Sequence, residues 1–469
     1  MVTKEYINEL KINNIGVLYK LIQEQKDNGN MLLFLLENLG RLPSNFDGEN
    51  LTFLLENKNA QVRFWAVKNI GKLEDASYLE TISRVVKNDP SSTVRREAVS
   101  TLGRMHSAKA IPLLIEMLSD SDPKIVLQVM RALLVFKSNI MVREELKKLI
   151  NHPNEMIQSV IQKEFFPQKT NLVSDMKHTE CPDFMKNVVV QGDVRDILKY
   201  VPDESIHLTF TSPPYYNARD YSIYQSYKEY VMFLVSVFQQ IHRITKEGRF
   251  FILNTSPIII PRISRQHSSK RYPIPFDIHP YLVQMGWEFI DDIIWVKPET
   301  SVKNRNAGFL QHRKPLGYKP NPLTEYIMVY RKKTDKLLDW NIRQYDWETV
   351  KQSKVLGDYE TSNVWKIDPT FDKVHSAVFP IELCNRVIKF YSYKGDLIFD
   401  PFAGSGTLGK AAMNLERYFF LTEKEEKYVE RIKQELGNKS LFGKEQLHIL
   451  NIGSFQELAK RKGGLDDIN

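Results

Sequence analysis

A chain of 469 residues is too long for one ordinary hydrophobic core, so two or three domains are expected. Hydrophobic residues make up 42% and charged residues 26%, near soluble averages, and no run of about 18 apolar residues occurs that could span a bilayer. The two cysteines, Cys181 and Cys384, fit neither a disulfide framework nor a metal cluster, so no metal is expected; the formal charge of +8 is a modest surplus compatible with a phosphate-backbone partner.

The first residues, Met1-Val2-Thr3-Lys4-Glu5-Tyr6, lack the apolar stretch of a secretion signal, and the expected compartment is a reducing cytoplasm. Internal repetition comes next. The runs Val62-Arg63-Phe64-Trp65-Ala66-Val67, Val94-Arg95-Arg96-Glu97-Ala98-Val99, Ile125-Val126-Leu127-Gln128-Val129-Met130 and Ile157-Gln158-Ser159-Val160-Ile161 start 32, 31 and 32 residues apart. Apolar residues continue at helical spacing, as in Val94, Ala98, Val99, Leu102 and Met105, which places them on one face. Asp89-Pro90, Asp122-Pro123 and His152-Pro153 break the chain just before the helices. The pattern resembles short HEAT-type repeats over about residues 50–165, within an all-α domain expected at 1–165. Units that bury their faces only against neighbours give a curved surface suited to something extended, or a rigid appendage that only spaces the enzyme. Residues 166–186, with Pro167 and Pro182 and no clear period, are expected to be linker.

The third region, 187–469, opens with Val188-Val189-Val190-Gln191-Gly192-Asp193, a helical stretch to Tyr200, and Ser205-Ile206-His207-Leu208-Thr209-Phe210. That is a strand, helix, strand unit of an open parallel sheet, which places ligands at the carboxyl ends of its strands. The second strand runs into Thr211-Ser212-Pro213-Pro214-Tyr215. An exposed proline-rich turn is the alternative, and the position directly after a buried strand argues against it. The exocyclic amine of cytosine or adenine is a poor nucleophile because its lone pair is delocalised into the ring. Acceptors at the Ser212 side chain and the Pro213 carbonyl can each take an N–H of that amine, favouring a pyramidal nitrogen. Two prolines hold the acceptors in place, and Tyr215 supplies a ring for stacking on a base removed from the duplex. Neither cysteine sits in a nucleophile-like motif, which counts against cytosine C5 chemistry.

Further strand-like runs at 248–254, 288–296 and 326–331 extend the same sheet, and the loops between them are basic. Residues 262–271 contain Arg262, Arg265, Lys270 and Arg271 and no acid; residues 297–319 carry Lys303, Arg305, Arg313 and Lys314 beside a single glutamate, Glu299. These cations are the candidates for phosphate and base-edge contacts.

Farther on, Leu397-Ile398-Phe399-Asp400 is a short strand, followed by Phe402-Ala403-Gly404-Ser405-Gly406-Thr407 and a helix from Leu408 to Leu415. Glycines there let backbone N–H groups approach a ligand. The next strand, 418–423, ends in Glu423, an acid 23 residues beyond Asp400, a spacing that suits hydrogen bonds to ribose hydroxyls. Gly404 to Lys410 nearly completes a phosphate-binding loop of nucleotide hydrolases, but Ala411 stands where a hydroxyl should hold magnesium.

Taken together and in this order, the two motifs resemble the β-group of DNA amino-methyltransferases, over residues 187–436. The resemblance implies a Rossmann-like α/β methyltransferase domain, a mostly parallel sheet with helices on both faces, behind the all-α repeats. It implies S-adenosyl-L-methionine as cofactor, held by Phe402, Gly404, Ser405, Gly406 and Thr407, with Asp400 near its ammonium, Glu423 on its ribose and Asp193 near its adenine amine. The segment 375–380, with His375 and Phe379, resembles the part that walls the methionine end. In that family the first position of the four-residue motif is commonly Asp or Asn for adenine N6 and Ser for cytosine N4, so Ser212 favours N4. The implied partners are double-stranded DNA and a cognate restriction endonuclease, with recognition insertions at about 256–280, 297–322 and 332–374, the last holding Lys332, Lys333, Trp340, Trp347 and Trp365. Alternatives are the same fold acting on adenine N6, and a repeat-based binding protein with an inactive enzyme domain.

Overall fold

The computed structural model describes residues 2–26, 28–167, 176–216, 224–260, 263–264, 266–302, 315–316, 320–370, 378–437 and 447–463. The chain divides into two compact units, Met1–Asn171 and Leu172–Asn469.

In the first unit, the repeated runs form the helices Ala60–Gly71, Ser92–Arg104, Pro123–Leu134 and Glu155–Phe165. Asn59, Asp122 and Asn154 start three of them by accepting backbone N–H groups of the first turn, and Pro123 takes a first-turn position where its missing N–H costs nothing. Val62, Val94, Ile125 and Ile157, one from each repeat, are buried in a common core. Helices Gly29–Asn38, Ala60–Gly71, Ser92–Arg104 and Pro123–Leu134 pack in succession, so the row begins earlier than the repeat pattern is readable. Arg63 is fastened to Asp89 of the following loop by Nε–Oδ2 at 2.7 Å and Nη2–Oδ1 at 2.9 Å, a bidentate pair that is buried.

The second unit is built on β1 (Val188–Gln191), β2 (Ile206–Thr211), β3 (Thr245–Thr255), β6 (Trp287–Val296), β7 (Thr324–Lys332), β8 (Val364–Lys366), β9 (Leu397–Asp400), β10 (Tyr418–Glu423) and β11 (His448–Asn451), with β4 (Ile258–Ile260) and β5 (Lys270–Tyr272) forming a separate hairpin. The strand order is β11-β1-β10-β9-β2-β3-β7-β6-β8, and among the described strands of this sheet only β7 runs against its neighbours. Alternation along the strands feeds two cores. Val188, Val190, Phe399 and Phe420 face one side, beneath helices Tyr227–Ile244, Ile274–Met285 and Ile452–Gly463. Val189, Ile398, Phe419 and Leu421 face the other, beneath Ile381–Tyr391, Thr407–Asn414 and Glu426–Gly437.

Two spans expected to lie outside the catalytic core contribute buried residues to this frame. Within the span expected to be linker, Cys181, Phe184 and Met185 are buried in the first of those cores. Within the span expected for recognition, Trp365 lies buried in β8 and Lys332 is buried at the end of β7, donating to Thr245 O at 2.6 Å and Glu204 Oε1 at 3.2 Å. Among the described residues, no helix is long and apolar enough to cross a membrane.

Candidate active site

Strands β2 and β9, distant in sequence, are sheet neighbours with Leu208 opposite Ile398 and Thr209 opposite Phe399. Their carboxyl ends therefore carry the two motifs side by side. Thr211 Oγ1 donates to Asp400 Oδ1 at 2.6 Å, a buried bond between the residue before Ser212 and the residue that opens the glycine turn. Ser212, Pro213, Pro214 and Tyr215 share one cavity of 1010 Å³ with Asp193, Phe379, Asp400, Phe402, Gly404, Ser405, Thr407 and Glu423.

The glycine turn needs its glycines. Gly404 and Gly406 have φ of 51° and 77°, and a Cβ on Gly406 would stand 2.9 Å from Ile432 Cγ1. The turn folds back on two acids: Gly404 N donates to Glu423 Oε2 at 2.8 Å, and Phe402 N donates to Asp400 Oδ1 at 3.0 Å. Burial pushes the Asp400 carboxyl up to about 7, against the lowering effect of its bonds from Thr211 and Phe402; burial also raises Glu423. Among the described residues no lysine or arginine side chain pairs with either carboxylate, and Glu423 is offset by the backbone N–H groups of Glu425, Gly404 and Lys424.

Asp193 is placed otherwise. It caps the helix Val194–Ile197, accepts from Arg195 N at 2.9 Å, Nε at 3.0 Å and Nη2 at 2.8 Å, and is held below the usual carboxylate range by that guanidinium. Arg195 in turn lies 5.2 Å from the Phe233 ring, which is 6.0 Å from Phe402. Phe379 stacks on Phe210 with centroids 4.6 Å apart and planes at 14°. His375 lies outside the described residues.

Beside the Ser-Pro-Pro-Tyr turn, three residues escaped the sequence reading. Asn254 Nδ2, at the end of β3, donates to Glu325 Oε2 at 2.6 Å and to Ser212 Oγ at 3.4 Å. Tyr215 Oη donates to the same Glu325 oxygen at 3.4 Å, and Lys297 Nζ pairs with the other, Oε1. All three line the cavity. Burial first, and Glu325 second, push the Tyr215 hydroxyl far above its ordinary range, so it stays a neutral donor. The only sequence signal was a charge at the edge of an apolar strand. Its meaning depends on β7 running antiparallel, which brings Glu325 opposite Trp295 of β6, near Lys297.

Of the basic candidates, Lys270 and Arg271 are exposed on the β4–β5 hairpin. Tyr272 of that hairpin packs 5.4 Å from Tyr216, the residue after the motif. Arg262, Arg265, Lys303, Arg305, Arg313 and Lys314 lie outside the described residues.

Comparisons with known proteins find matches for both parts of the chain. The DNA methylase family model matches residues 206–434 and a HEAT-repeat model matches residues 49–134. The type II beta methyltransferase M.BslI of Bacillus sp. (strain NEB-606) is 26% identical over 304 residues, 63% of this chain, and the match spans only 32% of that relative's length. The type II methyltransferase M.Cfr9I of Citrobacter freundii is 26% identical over 291 residues, 55% of this chain and 90% of the relative. Among solved structures, TTHA0409 of Thermus thermophilus, complexed with S-adenosyl-L-methionine, is 23% identical with a TM-score of 0.45, covering 56% of this chain and 97% of that one. Over residues 206–434 the second unit matches the DNA methylase family, and it follows an N-terminal region that matches HEAT repeats.

Proposed function

We propose that this protein methylates the exocyclic N4 amine of a cytosine extruded from duplex DNA, using S-adenosyl-L-methionine, as the modification half of a restriction-modification system. The observation that carries the reading is the bond from Thr211 Oγ1 to Asp400 Oδ1, 2.6 Å, which ties the amine-holding turn to the glycine turn across one cavity.

The residues at the glycine turn suit that cofactor. Two buried carboxylates without a cation partner call for a ligand that brings positive charge and hydroxyl donors. Asp400 would hold the ammonium group, Glu423 the ribose hydroxyls, and the aromatic pair Phe233 and Phe402, which line the same cavity, would offer faces to the adenine. When bound, the cofactor supplies a sulfonium-linked methyl group. At the other turn, Ser212 Oγ and the Pro213 carbonyl accept the two amine N–H groups and turn the nitrogen lone pair out of the base plane. Asn254, fixed by Glu325 and Lys297, holds the Ser212 hydroxyl in position.

The test is mass spectrometry of nucleosides from DNA incubated with methyl-labelled cofactor. The expected product is N4-methylcytosine, reduced by about a hundredfold or more in Ser212→Ala, which removes one of the positioned acceptors. Label on adenine N6 overturns the base assignment, and no label on DNA overturns the reading. Mapping methylation across a genome would then define the site that a companion endonuclease has to spare.

A further inference from the structure

Charge is unevenly spread over the first unit. Helices Ala60–Gly71, Ser92–Arg104 and Pro123–Leu134 hold seven lysines and arginines against one acid, Glu97. The helices Leu79–Asn88, Ile111–Glu116 and Ile140–Lys147, which alternate with them in sequence, hold four of each sign. The cation-rich helices pack directly on one another as a row, whereas Leu79–Asn88 and Ile111–Glu116 pack onto that row and make no comparable contact with each other. In a helical-repeat array the closer-packed row lies on the inner side of the curve. The inner face is therefore the basic one.

Three of the seven cations serve the fold: Arg63 pairs with Asp89, Arg95 Nη1 donates to Asp89 O at 3.0 Å, and Arg104 pairs with Glu97, Nη2 to Oε1 at 2.5 Å. The others, Lys68, Arg96, Lys124 and Arg131, are half-exposed or exposed. Their positions recur with the repeat, since Lys68 and Arg131 stand at equivalent places two repeats apart and Arg104 lies one repeat beyond Lys72. Lys72 is crowded enough that its ammonium is depressed, first by burial and then by Lys68, Lys11 and Arg104 around it. The Lys68 ammonium lies 4.5 Å from the Trp65 ring. A helix row that gathers like charges with a single acid loses stability to repulsion unless an anion completes it. Helices spaced by about 8–10 Å present such cations as a line, which matches a linear polyanion better than a compact one.

We propose that the inner face of the repeat row binds the sugar-phosphate backbone of duplex DNA and contributes affinity without reading bases. This rests on the reading of the second unit as a DNA-modifying enzyme, which decides for nucleic acid over an acidic protein. The experiment uses the full-length protein carrying Lys68→Ala, Arg96→Ala and Arg131→Ala together, with fluorescence anisotropy on a long duplex across a salt series. The expected result is an affinity lower by about tenfold to a hundredfold at moderate salt and a plot of log affinity against log salt that is flatter by about 2 to 3, one increment of about 0.9 for each lost phosphate contact. The single-turnover methylation rate at saturating DNA should stay that of wild type. A matching triple, Arg84→Ala, Lys87→Ala and Arg143→Ala on the outer helices, should change neither quantity. Unchanged affinity and slope in the inner-face variant, or equal flattening in both, overturns the proposal. Should the triple variant fail to fold, Arg131→Glu alone, at an exposed position, should still lower affinity, and its failure to do so overturns the proposal as well. Wild-type protein that methylates DNA while the inner-face variant binds normally sinks only this surface; wild-type protein that neither binds nor methylates DNA sinks the proposed function with it.

Discussion

At the glycine turn Asp400 and Glu423 are buried carboxylates with no cation among the described residues, whereas beside the Ser-Pro-Pro-Tyr turn Glu325 is paired with Lys297 and accepts from Asn254 and Tyr215. Both regions line the same cavity. A buried charge without a counter-charge is costly, and the fold tolerates it where a ligand supplies what is missing. A partly buried charge already satisfied by its neighbours is a fixture that orients them. One region is thus completed by its ligand, and the other is complete before any ligand arrives.

The sharpest way to break this contrast is Glu325→Gln. The substitution keeps the shape but removes the charge that Lys297 and Asn254 hold, so Asn254 no longer fixes Ser212. Misplacement of a positioned group by about an ångström costs roughly a hundredfold in rate, and that is the expected loss in single-turnover methyl transfer. Cofactor affinity, measured by calorimetry, should not change; a parallel fall would mean that the two regions are one network. The reciprocal change, Asp400→Asn, should weaken cofactor binding about thirtyfold, near 2 kcal/mol for the loss of a charge-assisted bond, and leave the pairing of Glu325 intact.

The same contrast explains what could be read from the sequence. Strands β1, β2, β9 and β10 are short apolar runs that end in chemistry-bearing residues, and the turn that follows β9 has φ that only glycine adopts easily, so both motifs and their convergence were legible. Glu325, Lys297 and Asn254 were not, because each is an ordinary polar residue at a strand end until the antiparallel course of β7 sets them beside one another. Lys332 and Trp365, within the span expected for recognition, are placed by the fold for a related reason. Nothing in the local sequence shows that the chain folds this cation and this aromatic residue inward, against Thr245 O and the β6 edge. The repeats were readable from Val62 onward, where a buried face recurs at fixed spacing, while helix Gly29–Asn38 joins the same row without a matching sequence pattern.

A smaller effect tests the charge of the glycine turn alone. With burial raising Asp400 to about 7, the carboxyl is mostly neutral at pH 6 and ionised above pH 7. A cationic ligand binds the ionised form, so affinity for the cofactor should fall about fivefold from pH 7 to pH 6, the ratio of ionised fractions for such a group. Asp400→Asn should flatten that dependence. The ligand-free protein should respond with the opposite sign. Because the folded-state value lies above the ordinary carboxylate one, the folded chain binds more protons than the unfolded chain between about pH 4 and 7, and this group makes stability decline as pH rises through that window. Thermal melts of wild type and Asp400→Asn across that window should therefore diverge, wild type losing ground as the pH rises, and saturating cofactor should close the gap by pairing the charge the fold leaves open. Parallel melts would mean that Asp400 ionises at its ordinary value, and the distinction between a region completed by its ligand and one complete by itself would fail at its most direct point.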